Sequence, residues 1–422
     1  MEKKYYFLVR RSPDIDHAAP IIYALLKKGV SSSNIILTDL SYNNSNVYLN
    51  ENEFFQLIKK KNVKINFAIS NVYISFLKKI YFKKKNIYFQ SFEKNKTFFF
   101  LNMMRFSLQK LIEFLFILKA ILYSFKRNKI FIIFKNQNYP FKLLYYLSKK
   151  NQIINLPHGF PPWDGPKDKV DQKTTQQINL NHPIVNSAIY PGHKNFEWFY
   201  FFNLKISKLS REIESKKQIF PLRYTREWTN LLKKEIFDKK DSFNVKKRKI
   251  ITYFAQKDPS SDNHFTNYQL EKAMLMHIAK NYKDIKLNIR LHPSQLVTSN
   301  NSFIKDLEKH DNCKIHIGES TSTFELINNS DLVMGTFTTA LLDAISLNKE
   351  IIILKHLTKI NCILDINTTH DHDNFKNIFN NVMKKLQDRK QVSHEKIYSK
   401  LIFPKDYQGQ DVFNFYLEKV FN

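Results

Sequence analysis

Residues 330–353 read SDLVMGTFTTALLDAISLNKEIII. An apolar run, Leu332 to Met334, stops at a glycine, and a polar Thr-Phe-Thr-Thr run follows. Apolar residues then recur at helical spacing through ALLDAISL, and a second apolar run closes the stretch at Ile351–Ile353. Strand, helix and strand in so short a span predict two parallel strands joined by a crossover helix. Both strands are apolar at every position, as strands covered on both faces are. The fold class that follows is α/β, a parallel sheet with helices on its faces.

The same alternation continues on the N-terminal side of this stretch. KIITYFAQ (249–256), KLNIRLHP (286–293) and KIHIGE (314–319) read as strands, while NYQLEKAMLMHIAKNY (267–282) and TSTFELINNS (321–330) read as helices. Further back, YYFLVR (5–10), NIILTDL (34–40), INFAIS (65–70), NIYFQSF (86–92), KIFIIFK (129–135) and QIINL (152–156) read as strands. PIIYALLKKG (20–29) reads as a helix that Gly29 ends. Between the two series lies an irregular connection holding Pro161, Pro162, Pro166, Pro183, Pro191 and Pro221 among the chain's 13 prolines. A helical RYTREWTNLLKKEIF (223–237) follows, with Arg223 and Trp228 read as structural fasteners of the connection. The polar KKDSFNVKKRK (239–249) is a natural boundary. A chain of 422 residues exceeds the size at which one core usually keeps growing. Residues 1–240 and 246–405 are therefore expected to form two Rossmann-like domains, with a helix in 406–422 crossing back to the first.

Composition narrows the function classes. The formal charge of +29 would suit a nucleic-acid binder, because Lys and Arg neutralise phosphate. No zinc-finger spacing, helix-turn-helix turn or aromatic RNA-binding signature accompanies it, and no nucleic-acid partner is expected. Abundant Lys, Asn, Ile and Phe beside only 7 glycines also fit a coding bias. The basic excess suits anionic substrates or an anionic membrane surface. Cys313 and Cys362 cannot form a disulfide framework, which fits a reducing, cytoplasmic compartment. The hydrophobic zone 97–129 carries Arg105, Lys110, Glu113 and Lys119, so it reads either as an interfacial amphipathic helix or as a helix packed on a core, not as a membrane span.

Ligands of parallel sheets gather at the carboxyl ends of strands. His158, in LPHGFPPWDG, and His292, in RLHP, both fall at such ends, one in each half. An imidazole there either transfers a proton and binds phosphate, or satisfies backbone groups at a turn. Gly335, Thr336, Thr338 and Thr339 stand where a strand hands over to a helix, a place that offers hydroxyls and free N–H groups to an anion. The alternative is a plain threonine N-cap. Tyr253 and Gln256, at the end of a neighbouring strand, are placed either to line the cleft or, for Tyr253, to fill the core. Glu325 reads as a ribose or base ligand or as solvated surface. In His370-Asp371-His372-Asp373, a helix N-cap at Asp373 is favoured over a metal site, and no metal or other cofactor is expected.

His158-Gly159, Arg290-Leu291-His292-Pro293 and the 330–353 stretch together resemble GT-B transferases of bacterial surface-polymer assembly. The pattern is similar to CDP-glycerol glycerophosphotransferases and to the HP and Ser/Thr motifs of transferases using CMP-activated sialic acid or Kdo, over roughly residues 150–360. The resemblance implies two Rossmann-like domains whose parallel sheets face one another across a cleft. It implies that His292 and Pro293, with Thr338 and Thr339, hold the donor phosphate, and that His158 or Asp164 is the catalytic base. Gly335-Thr336-Phe337-Thr338-Thr339 departs from the Asp-Tyr-Ser-Ser of the family, and PHGFPP departs from the Trp-His-Gly-Thr context of the glycerol-phosphate enzymes. The expectation is a metal-independent glycosyltransferase moving an acid sugar, of nonulosonic or Kdo type, from a cytidine nucleotide to a capsule or lipopolysaccharide glycan. It would work in the cytoplasm at the inner membrane face. Polyol-phosphate transfer, and UDP-sugar transfer or 2-epimerisation, are the alternative chemistries.

Overall fold

The structure of the protein, a computed structural model, describes residues 3–9, 12–39, 52–67, 129–134, 152–156, 187–191, 215–219, 221–237, 248–255, 268–291, 302–317, 322–336, 338–358, 364, 366–388, 393–402 and 407–421. The first half comprises β1 (Lys4–Val9), α1 (Ser12–Lys27), β2 (Ile35–Asp39), α2 (Glu53–Lys60), β3 (Lys64–Phe67), β4 (Lys129–Phe134), β5 (Gln152–Leu156), β6 (Ser187–Pro191) and β7 (Ser215–Ile219). A 3-10 turn at Leu222–Tyr224 and α3 (Arg226–Leu232) link it to the second half. There follow β8 (Lys249–Phe254), α4 (Tyr268–Asn281), β9 (Ile285–Arg290), α5 (Ser302–Glu308), β10 (Cys313–His316), α6 (Thr323–Asn328), β11 (Leu332–Gly335), α7 (Ala340–Ser346), β12 (Glu350–Ile353), α8 (His372–Gln387), α9 (Glu395–Ile402) and α10 (Val412–Phe421).

All strand pairs are parallel, in two sheets ordered β3-β2-β1-β4-β5-β6-β7 and β10-β9-β8-β11-β12. Each order runs outward in both directions from its first strand. The chain therefore reverses its winding between β1 and β4 and again between β8 and β11, and at such switch points the flanking loops part to leave a crevice. The sequence expectation of α/β architecture with two parallel sheets is met.

Several local expectations shift. α1 begins at Ser12 and carries Pro20 inside it, rather than beginning there. Proline is tolerated in a first turn, which made position 20 the natural start. The burial of Ile15, Ala18, Ala19, Ile22 and Leu25 at helical spacing outweighs the lost hydrogen bond. β6 and β7 run through the proline-rich connection, with Pro191 closing β6 at a strand end that needs no further donor. The strand expected at 86–92, residues 97–128 of the hydrophobic zone 97–129 and the boundary at 240–246 lie outside the described residues. No helix among the described residues is long and apolar enough to cross a membrane.

Apolar packing is continuous across the halves. One cluster runs from Phe7, Ile22 and Leu37 through Trp228 to Phe254, Phe324, Val333 and Leu341 of the second half. A second cluster fills the opposite face of the second sheet, around Tyr253, Leu287, Met334 and Phe379. The last helix, α10, packs on the first half: the Phe421 ring meets Tyr5 edge-on at 5.3 Å, and Lys27 Nζ lies 2.6 Å from Asp411.

Candidate functional site

Gly335 ends β11 directly beside Phe254 of β8, at the switch point of the second sheet. Its backbone does not need the left-handed conformation that the chain gives to Gly29 and Gly409. Space is the constraint, because a Cβ at Gly335 would stand 2.7 Å from the Thr338 methyl. Gly335→Ala is therefore expected to cost about 1–3 kcal/mol in chemical denaturation. Gly335→Ala with Thr338→Ser, which removes the opposing methyl, should recover much of that loss.

Thr336 follows directly after β11, at the switch point. It is 1% exposed, and its hydroxyl has no hydrogen-bond partner among the described residues. A buried hydroxyl left unpaired costs free energy, so a polar ligand atom at this point would find a ready partner. Thr338 Oγ1 accepts from the Ala340 N–H at 3.3 Å, whereas Thr339 has helical backbone angles and makes no cap. The expected N-terminal anion site therefore changes character, with Thr338 already taking one of the free N–H groups. Thr339 instead lies beside the Tyr224 hydroxyl.

Tyr253 does not line the crevice. Strand alternation puts it on the opposite face of β8 from Thr252 and Phe254, under α4, where its hydroxyl donates to Glu271 at 2.7 Å. Burial first, and Glu271 second, hold that phenol far above its ordinary range. Glu325 stands in the first turn of α6, its N–H capped by Ser322 Oγ at 3.1 Å. His158, Asp164, Gln256, His292 and Pro293 lie outside the described residues. In the HDHD run the helix cap is Asp371, which accepts from Asn374 N–H at 2.7 Å; Asp373 pairs with Lys376 at 3.0 Å, so the expected cap moves by two residues.

The main finding at this junction is a group of charges around Arg223, which the sequence reading named as a fastener of the connection without identifying its carboxylate partners. Arg223, from the linking turn, places Nη1 2.9 Å from Asp16 of α1 and Nη2 3.0 Å from Asp343 of α7. Asn52 Nδ2 donates to the other Asp16 oxygen at 2.9 Å. Glu53, the first residue of α2, accepts a short hydrogen bond from the Ser322 hydroxyl at the start of α6. Asp16 follows β1, Glu53 follows β2, Ser322 follows β10 and Asp343 follows β11, so the carboxyl ends of both sheets converge here.

Burial governs the electrostatics. It pushes the Asp343 carboxyl up to about 6, with Arg223 pulling it back and Asp16 pushing it further. Burial would also strip the Arg223 proton, but Asp343, Tyr224 and Asp16 more than offset this, and the guanidinium stays charged. The Glu53 carboxyl is pushed up to about 7, by burial first; the Ser322 hydrogen bond lowers it, while Asp16 and Glu325 raise it. A signal for this group was present in the sequence. An aspartate in the otherwise apolar ALLDAIS helix has to be paired if it is buried.

No family model matches the chain, and no curated protein matches it in sequence. Solved structures do resemble it. The UDP-GlcNAc 2-epimerase of Neisseria meningitidis, bound to UDP-GlcNAc, superposes with a TM-score of 0.54 at 12% identity, over 99% of each chain. The UDP-GlcNAc 2-epimerase of Methanocaldococcus jannaschii gives 0.50 at 12% identity, over 94% of this chain and 97% of that one. A mutant of TarM from S. aureus, solved with Fondaparinux, alpha-GlcNAc-glycerol and UDP, gives 0.52 at 10% identity, over 99% and 98%. Likeness of this kind over whole chains establishes the fold as GT-B, with two Rossmann-like parallel-sheet units.

Proposed function

We propose that the protein is a GT-B enzyme acting on a nucleotide-activated sugar, and that a uridine nucleotide is favoured over the cytidine donor suggested by the sequence motifs. The observation that carries this reading is the buried Thr336 hydroxyl, without a hydrogen-bond partner among the described residues, at the switch point of the second sheet. Support for uridine comes from fold neighbours solved with UDP-GlcNAc or UDP bound.

In this reading Thr336 and His292 bind the donor phosphates, Gln256 and Glu325 lie along the nucleotide, and His158 or Asp164 moves the proton. For a transferase the acceptor hydroxyl attacks the anomeric carbon as the base takes its proton, and the phosphate charge is stabilised at His292 and Thr336. For a 2-epimerase the same groups bind the nucleotide, and the proton moved is the one on C2. The acceptor of a transferase would be a capsule or lipopolysaccharide glycan at the inner membrane face, where the +29 charge suits an anionic surface.

Calorimetric titration with UDP, UDP-GlcNAc, CMP and CDP tests the assignment. UDP or UDP-GlcNAc is expected to bind best, with affinity about tenfold weaker in Thr336→Val, the loss of one hydrogen bond to a charged ligand. A larger loss is expected in His292→Ala. Preference for CMP would return the assignment to the cytidine donor, and no nucleotide binding would overturn the reading. In D2O an epimerase replaces the C2 hydrogen of UDP-GlcNAc with deuterium, whereas a transferase leaves that bond intact.

A further inference from the structure

The charges of the first half are sorted along its strands. From β1 through β4 the described carboxylates are Asp14, Asp16, Asp39 and Glu53, and each stands where a strand ends or the next helix begins. The described lysines take the opposite edge. Lys3 and Lys4 stand at the start of β1, Lys27 and Lys28 at the end of α1, Lys59, Lys60 and Lys61 at the end of α2, and Lys64 and Lys129 open β3 and β4. Parallel strands joined by crossover helices bring strand starts and helix ends to one side, so these residues share the amino-terminal edge of the sheet. Because α1 packs against α2, the lysines spread over the sheet layer and the helix layer and form a patch.

Carboxylates from elsewhere in the chain neutralise part of this edge. Asp411, just before α10, pairs with Lys27 at 2.6 Å, and Glu235, after α3, lies 3.7 Å from Lys61. Lys3, Lys4, Lys28, Lys59, Lys60 and Lys64 are exposed and, among the described residues, have no carboxylate at ion-pair distance. Like charges gathered on one face repel one another, and an anionic partner covering them relieves that cost.

Two observations favour lipid as the partner. The rings of Tyr5, Tyr6, Phe54 and Phe55 are buried, and Tyr23 is half-buried against Trp228 and Phe413, so nucleic-acid bases would find no stacking platform in them. The apolar sequence 97–128, with Arg105, Lys110 and Lys119 in it, leads directly into Lys129 and so joins the sheet at this edge. A bilayer surface takes up both lysine charge and apolar side chains.

We propose that the amino-terminal edge of the first sheet is a docking surface for an anionic lipid bilayer. This rests on the membrane-face location given above and deepens it by naming the part of the molecule that meets the lipid. β1 and β4 are 6 residues long, about 20 Å at the usual rise per residue. Docking by this edge therefore leaves the carboxyl ends, and the crevice they border, clear of the surface.

Co-sedimentation of the full chain, without nucleotide, tests the surface. The vesicles are phosphatidylcholine alone, or two parts phosphatidylcholine to one part phosphatidylglycerol. Binding is expected only to the second kind and should weaken as salt is raised. Each lysine near an anionic surface contributes about fivefold, so Lys59→Gln with Lys60→Gln and Lys64→Gln should bind on the order of 100-fold more weakly. Lys280→Gln with Lys384→Gln and Lys385→Gln removes the same charge from exposed positions of α4 and α8, and should bind as the wild type does. Exposed substitutions of this kind leave the fold intact, which circular dichroism checks.

Equal losses in the two triple variants would mean that net charge acts without a docking face, and would overturn the proposal. So would a wild-type protein that ignores the anionic vesicles. Tighter binding to duplex DNA than to the vesicles, lost in the Lys59 triple variant, would make the edge a nucleic-acid surface instead. Calorimetry with UDP on the same variants reads the nucleotide assignment separately: the Lys59 triple variant should keep wild-type affinity for UDP, and failure of either reading is seen without the other.

Discussion

Arg223→Ala is expected to destabilise the protein by about 3–5 kcal/mol, because it removes the counter-charge of two carboxylates that remain in place. Asp343 is enclosed and cannot turn to water without disturbing α7, while Asp16 is only partly exposed, at 16%. Urea denaturation at neutral pH measures the loss. The variant should regain stability on acidification, since Asp343 without Arg223 holds its proton to a higher pH than the wild-type value of about 6. Arg223→Met with Asp343→Leu should lose much less than Arg223→Ala alone, because a buried ion pair replaced by apolar groups of similar size is often neutral. A loss below about 1 kcal/mol for Arg223→Ala, the level of an exposed pair, would mean that water reaches this junction freely.

Trp228→Ala should cost about as much, roughly 3–5 kcal/mol, for an apolar reason. The indole is fully buried, stacked on Phe54 at 6.1 Å and tilted against Tyr23 at 6.0 Å. It brings the linking helix onto α1 and α2, and through Phe54 it supports the contact with Phe324. Truncation would leave a cavity that two rigid helices cannot close. Trp228→Phe, which keeps a ring against Phe54, should lose markedly less. Arg223 also stands over the Phe54 ring, at 5.8 Å, so the double variant should fall short of the sum of the single effects. Full additivity in denaturation would separate the two sites energetically.

Much of the strand-and-helix pattern was legible because apolar runs announce buried strands. QIINL matches β5 residue for residue, and KIFIIFK, NIILTDL and EIIILK each contain the strand observed. Pattern failed where local chemistry argued against the structure formed. SAIYP and SKKQI carry little periodicity and sit among prolines, yet each extends a sheet already begun. Their neighbours in the ladder, rather than their own propensities, decide their conformation. The start of α1 was misplaced for a related reason, since the penalty of an internal Pro20 is local and the burial that outweighs it is tertiary.

The candidate site divides along the same line. Gly335 and Thr336 were legible as a strand end opening into a helix, because that boundary is written in consecutive residues. Tyr253 was ambiguous at strand level, and only the helix that covers its face made it core. The Arg223 group could not be assembled from sequence at all. Its members lie in five separate segments, around positions 16, 53, 223, 322 and 343, and no spacing rule links residues so far apart.

By itself, then, the sequence determined two parallel α/β sheets and the strand end at Gly335 that opens into a helix, since periodicity and turn chemistry are local. Only the tertiary structure decided which buried charges face one another across the junction. A carboxylate's partner and its proton affinity depend on the distance and burial that folding brings about.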